Sequence, residues 1–195
     1  MKTFNIVLVG VGGQGVILAS KVISQAALKA GLDVKQSEVH GMSQRGGSVI
    51  SHVRIGKKVY SPLVTEGEAD VVLAFEKLEA LRYAHWANSN GKIIYADTKI
   101  NPSTVVAGLS EYPTDVDEQL QDLPCEVIKI PAQNLAKQAG NVRAVNTVLV
   151  GALSNLISEI SEDTWKEVIK TSVPPKVIDV NLKAFELGRQ SLLDN

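Results

Sequence analysis

Residues 10–15 read Gly10-Val11-Gly12-Gly13-Gln14-Gly15, a G-x-G-x-x-G pattern with one added glycine, and no other stretch constrains the fold so tightly. It follows the β-branched run of residues 4–9 and opens into a segment where Ala19, Val22, Ile23, Ala26 and Ala30 recur at three- and four-residue steps. The run predicts a buried parallel strand, the recurrence predicts a helix, and Gly31 ends it. In that setting Gly10 permits a tight turn, Gly12 lets a ligand approach the backbone, and Gly15 lets helix and strand pack closely. The free N–H groups and the positive helix end then face an anion, by preference a phosphate. The same glycines also suit a tight strand-to-helix turn with nothing bound.

A second strand over residues 33–38 completes strand, turn, helix, strand, the unit of an α/β sheet. Val49, Ser51, Val53 and Ile55 alternate with Ile50, His52 and Arg54, and Gly56-Lys57-Lys58 turns them back toward Val59-Tyr60, which predicts a β-hairpin. Residues 70–75 predict a buried strand, 76–88 a helix, 91–96 and 126–130 two further strands. Residues 98–123, with Pro102 and Pro113, predict a solvated connection. From Ala132 onward the pattern is helical, with a wide apolar stripe between Val142 and Ile160 and two further helices either side of Pro174-Pro175. The expected fold is a Rossmann-like, doubly wound α/β domain over residues 1–195. It has a mostly parallel sheet, an inserted β-hairpin and a helical C-terminal part at 141–195.

Composition excludes several functions. Twenty Lys and Arg against 21 Asp and Glu give a net charge of −1, so nothing neutralises a nucleic-acid backbone. One cysteine, Cys125, cannot build a disulfide, a CxxC pair or an all-cysteine iron–sulfur site, and an inert thiol is expected. No apolar stretch is long enough to span a membrane, and residues 6–9 end in glycines where a leader would show a cleavage site. A cytoplasmic location is the expectation.

The segment from Glu38 to Ser48 carries the most chemistry. Glu38, His40, Ser43, Gln44 and Arg45 stand among Gly41, Gly46 and Gly47. The loop after a second strand emerges at the same carboxyl edge as the glycine turn, so the two should line one crevice. Arg45 suits a bidentate anion contact, and His40 could donate a hydrogen bond or carry a proton. Arg45 paired with Glu38, and His40 capping a neighbouring backbone group, are the plainer alternatives. For a dinucleotide site, Glu38 is the acidic residue nearest the required place. His40 and His52 lack the spaced partners of a metal site, no catalytic residue is assigned, and His85 beside Trp86 reads as packing.

Gly10-Val11-Gly12-Gly13-Gln14-Gly15-Val16 together with Ser37-Glu38-Val39-His40-Gly41-Met42-Ser43-Gln44-Arg45-Gly46-Gly47 resembles the gamma-type domain of 2-oxoacid:ferredoxin oxidoreductases. Within that family the resemblance is nearest to the indolepyruvate branch. It continues in Arg143-Ala144-Val145-Asn146, in Leu149-Val150-Gly151-Ala152, in Val173-Pro174-Pro175-Lys176 and in Asn181-Leu182-Lys183-Ala184-Phe185. The resemblance implies an accessory subunit for coenzyme A-dependent oxidative decarboxylation of an aryl pyruvate, inactive alone. Thiamine diphosphate and 4Fe–4S clusters would sit in an alpha-type partner, and ferredoxin would accept the electrons. Gly10, Gly12, Gly13, Gln14 and Gly15 would then be the cofactor-side turn. Glu38, His40, Ser43, Gln44, Arg45, Gly46 and Gly47 would face substrate or coenzyme A, with Arg45 an anion contact and His40 and Gln44 orienting groups. An autonomous NAD(P)-binding enzyme and a non-catalytic assembly domain remain the alternatives.

Overall fold

A computed structural model describes residues 2–40 and 46–193, apart from the side chains of Val39 and His40. Strand β1 (Phe4–Val11) leads into helix α1 (Val16–Lys29), then β2 (Asp33–His40), β3 (Ser48–Gly56) and β4 (Ala69–Ala74). Helix α2 (Lys77–Arg82) and a 3₁₀ turn (Ala84–Trp86) precede β5 (Ala87–Ala96). Short helices α3 (Ser103–Val106) and α4 (Val116–Gln121) lead to β6 (Glu126–Ile130). Helices α5 (Ala132–Ala139), α6 (Val145–Ser154), α7 (Glu162–Ser172) and α8 (Ile178–Leu193) follow.

The six strands form one sheet in the order β2-β3-β1-β4-β5-β6. Strands β1, β4, β5 and β6 are parallel neighbours, and β3 runs antiparallel to both β1 and β2. Side chains alternate across a strand, so a strand covered on both faces must be apolar throughout. On β1, Ile6 and Leu8 enter the core beneath α1 and α5–α8, while Val7 and Val9 enter a second core beneath α2 and α4. The first core runs without a break from β1 to Trp165 of α7 and Phe185 of α8.

Three expectations change. The hairpin partner of β3 is β2, not Val59-Tyr60, because β1 and β2 occupy both edges of β3 and leave it no free ladder. Val59 instead turns inward to 3% exposure, its N–H donating to Asp33 Oδ2 at 2.8 Å. Strand β2 accordingly lies one strand removed from β1. The helix predicted over 76–88 ends at Arg82, and residues 87–90 already belong to β5. The stripe at 142–160 is helical only from Val145 to Ser154, with exposed Val142 outside it and Ile157 and Ile160 buried in the turns beyond.

Helices α6 and α8 cross at backbone contact. A Cβ built on Gly188 would stand 1.9 Å from the Val148 carbonyl oxygen, and one on Gly151 would stand 2.2 Å from that of Phe185. Thr147 Oγ1 donates to Asn181 Oδ1 at 2.7 Å, and Asn181 Nδ2 donates to the Val177 carbonyl at 2.8 Å. These bonds set the start of α6 beside the Pro174–Lys176 turn.

Candidate functional site

At the carboxyl edge β1 turns into α1 through the glycine cluster. Gly10 is still strand, and a Cβ there would meet Phe75 Cβ and Val16 Cγ2 at 2.9 Å each. Gly10 is therefore the residue that lets strand and helix pack closely, while the turn is made by Gly13 and Gly15, with φ of 103° and 83°. Both angles lie in the left-handed region that side chains avoid. Gly15 also abuts α6, where a Cβ would stand 2.9 Å from Asn146 Nδ2. The predicted roles of Gly10 and Gly15 are thus exchanged, because the close approach falls one residue before the strand ends.

In an open α/β sheet a ligand enters where neighbouring strands diverge in connection, here between β1 and β4. Gln14 fills that gap. Its Oε1 accepts from Val11 N at 2.7 Å and its Nε2 donates to the Phe75 carbonyl at 2.7 Å. Both ends of the amide bond main chain, so Gln14 braces the turn, and it also lines the cleft on the α6 side. The Gly12 N–H donates to the Gly47 carbonyl at 2.8 Å, and Gly12 lines the cleft beside it. That bond carries out half of the predicted juxtaposition: the exit of the second loop, Gly46-Gly47-Ser48, reaches the glycine turn.

Glu38 does not reach it. It lies within β2 opposite Ser51 of β3, where it accepts from Gln36 Nε2 at 2.7 Å. Two strand spacings, about 10 Å, separate β2 from β1, so Glu38 is not at the ribose position of a dinucleotide fold. Ser43, Gln44 and Arg45 lie outside the described residues, as does the side chain of His40.

The turn parts two clefts. One, about 410 Å³, is lined by Val11, Gly12, Gly13, Gly15, Val16, Ile17 and Val49. Helix α1 starts with no side-chain cap, so its first N–H groups face this edge without an intrahelical partner. The other cleft, about 450 Å³, lies between the turn and α6, with Thr98, Gln133, Arg143 and Asn146 in its wall. A smaller space of about 270 Å³ shares Leu18, Arg143 and Asn146 with it and extends to Pro174 and Lys176.

Behind the first cleft stands a buried acidic pair that sequence reasoning missed. Glu76 and Glu79 are 1% and 2% exposed. Glu76 accepts from Glu79 N at 2.9 Å, from Tyr112 OH at 2.7 Å and from Ile100 N at 3.1 Å. Glu79 accepts from Ser48 Oγ and pairs with Arg82 Nη1 at 3.3 Å, and Tyr83 OH stands 3.1 Å from the same hydroxyl. Burial raises the Glu79 carboxyl above the usual carboxylate range, against the Ser48 hydrogen bond and Arg82. The pair fixes the first residue of β3, next to the Gly12–Gly47 bond. An acidic i, i+3 pair directly after an apolar strand was the available signal.

Elsewhere, Cys125 is half-buried and burial pushes its thiol up, away from the reactive thiolate. His85 packs at the surface: its ring lies against Tyr83 and Trp86 while its side chain is 55% exposed, 4.0 Å from Glu66, on a 3₁₀ turn rather than the predicted helix. Among the described residues no three His, Cys, Asp or Glu side chains form a metal-holding group, and no helix is long and apolar enough to cross a membrane.

Residues 5–191 match the pyruvate ferredoxin/flavodoxin oxidoreductase family. The chain belongs to that family. It is 49% identical over 193 residues to the indolepyruvate oxidoreductase subunit IorB of Thermococcus kodakarensis, covering 96% of this chain and 95% of that one. It is 47% identical over 195 residues to the IorB subunit of Pyrococcus horikoshii, with 96% and 95% covered. Among solved structures it is similar to the 2-oxoglutarate:ferredoxin oxidoreductase of Magnetococcus marinus with 2-oxoglutarate, coenzyme A and succinyl-CoA bound. There the TM-score is 0.78 at 26% identity, over all of this chain and 32% of that one. Within this oxidoreductase fold, the separated segments Gly10–Gly15, Arg143–Asn146 and Pro174–Lys176 meet around one edge of the sheet.

Proposed function

We propose that the chain is the accessory subunit of a cytoplasmic, ferredoxin-linked oxidoreductase that decarboxylates an aryl 2-oxoacid such as indolepyruvate, with coenzyme A as acyl acceptor. Near-full-length likeness to the indolepyruvate oxidoreductase subunits supports this substrate class. The coenzyme A of the solved 2-oxoglutarate enzyme supports the acyl acceptor. The observation that carries the reading is the seam at which Gly12 N holds Gly47 and Glu79 holds Ser48. It joins the two specific motifs into one surface at the carboxyl edge.

The residues present do not fit thiamine diphosphate or an iron–sulfur cluster. Gln14 fills the gap between β1 and β4, and Cys125 is one cysteine where a cluster takes four. Both groups are assigned to an alpha-type partner, where thiamine diphosphate supplies the electron sink for decarboxylation. The first cleft does fit part of an anionic acyl acceptor. Gly13 has open space where a Cβ would be, and the uncapped start of α1 offers N–H donors. In this reading Gly12, Gly13, Gly15, Gly46 and Gly47 shape the coenzyme A side, Arg45 contacts an anion, and His40 and Gln44 orient it.

Isolation of the tagged chain from its native cells without air tests the proposal. A brown complex that contains thiamine diphosphate and reduces ferredoxin with an aryl pyruvate and coenzyme A is the expected result. A colourless chain without a partner overturns it.

A further inference from the structure

We infer that Glu79 is a positioning residue for the acyl acceptor: from the far face of the sheet it holds Ser48, and through Ser48 the wall of the first cleft. The inference rests on the coenzyme A reading of that cleft. Glu79 is 2% exposed and lines none of the clefts at the carboxyl edge, so it acts through a neighbour. Successive residues of a strand point to opposite faces. Ser48 turns toward α2 and Glu79, while Val49 enters the first core and lines the 410 Å³ cleft. On the other side of Ser48, the Gly47 carbonyl accepts from Gly12 N, and Gly12 lines the same cleft.

The two residues before Ser48 have no side chains with which to hold themselves. Gly46, with φ of 75°, and Gly47 lose more freedom on ordering than any other residue type. Among the described residues, the Ser48 hydroxyl is therefore the first side-chain anchor of the chain entering β3. Its one proton goes to the Glu79 carboxylate, and its lone pairs face Tyr83 OH at 3.1 Å. Glu76, the other buried acid, has a task within its own region: it caps α2 and holds Tyr112 and Ile100. Glu79 caps nothing. Among the described residues its carboxylate bonds to Ser48 and, on its own helix, to Arg82, whose side chain is 49% exposed. A buried carboxylate is costly to keep, and the one bond this carboxylate makes across the fold is to Ser48. Its presence is explained by what Ser48 fixes.

Steady-state kinetics of the assembled complex, together with amide hydrogen exchange of the full-length chain alone, tests this. Ser48→Ala and Glu79→Leu should each raise KM for coenzyme A about tenfold, as loss of one charged hydrogen bond implies. Uniform binding is then what is lost, so kcat and KM for the aryl pyruvate should stay within about twofold of the parent. Glu79→Gln keeps an acceptor for Ser48 and should restore most of the affinity. The double variant should be no worse than either single one, because both cut the same bond. In the chain alone, both single variants should speed exchange of the Gly12 amide about tenfold and leave Val72 and Leu73 of β4 unchanged. If Ser48→Ala leaves KM and Gly12 exchange at the parent values, the anchor is overturned. If Glu79→Leu lowers only the yield of folded complex, at unchanged KM, Glu79 is a core residue and the positioning role is overturned as well. A parent complex that turns over without coenzyme A overturns the reading of the cleft instead, and faster Gly12 exchange in the variants then still upholds the anchor.

Discussion

Gln14 shows how one side chain can close a ligand-sized gap in an α/β sheet. Its amide is bonded at both ends, and replacement by leucine leaves Val11 N and the Phe75 carbonyl without those partners. Gln14→Leu should cost about 2–4 kcal/mol of folding stability, two groups at roughly 1–2 each, read by urea denaturation. Gln14→Glu keeps the acceptor but turns a carboxylate toward the Phe75 carbonyl, and should be worse at pH 8 than at pH 5. Glu79 is the other residue whose environment decides its behaviour. Glu79→Gln keeps an acceptor for Ser48 and removes a charge from a site 2% exposed. A raised carboxyl favours the protonated fold, so its stabilising contribution is full below pH 4.5 and declines as pH rises through the raised value. The melting temperature of Glu79→Gln relative to the parent should therefore be higher at pH 7.5 than at pH 4.

Among elements, the α6–α8 crossing is the least forgiving. Gly151 and Gly188 let the two backbones touch, and a methyl group at Gly188 has a carbonyl oxygen in its place. Gly188→Ala should force the helices apart and cost about 3 kcal/mol, at the upper end for overpacking, with a matching fall in the denaturant midpoint. Gly31→Ala serves as the control, since no atom lies within 4 Å of a Cβ there and only its positive φ is strained. It should lose about 1 kcal/mol. Because Asn146 lies in the first turn of α6 and Arg143 just before it, separation of α6 from α8 should also move the second cleft.

For the molecule as a whole, two buried groups set opposite pH slopes. His52 is 4% exposed, packs edge-on against Trp86 at 5.0 Å, and accepts from Val64 N through Nδ1 at 3.4 Å. Burial lowers its pKa below 6.5, so the neutral ring is the one the fold accepts. Its contribution is present above pH 6.5 and is lost as pH falls through the folded value, opposite in sign to that of Glu79. His52→Gln should flatten the loss of stability below pH 6.5, measured as melting temperature against pH, while Glu79→Gln should steepen it.

Local pattern was enough for the strands, the glycine turn and the family motifs, because apolar runs, period and glycine spacing are written within a few residues. The oxidoreductase resemblance was legible for the same reason. Which strand pairs with which was not, since insertion of β3 between β1 and β2 depends on a β1–β3 ladder closed across 37 to 51 positions of chain, from Val11 opposite Ser48 to Phe4 opposite Ile55. That insertion moved Glu38 away from the turn and left Gly47 to meet it. The convergence of Arg143 and Lys176 on one cleft was equally hidden. Burial and hydrogen bonding are properties of a packed neighbourhood, and only the fold decides that Glu76 and Glu79 stand buried, with Glu79 holding Ser48 next to the glycine turn.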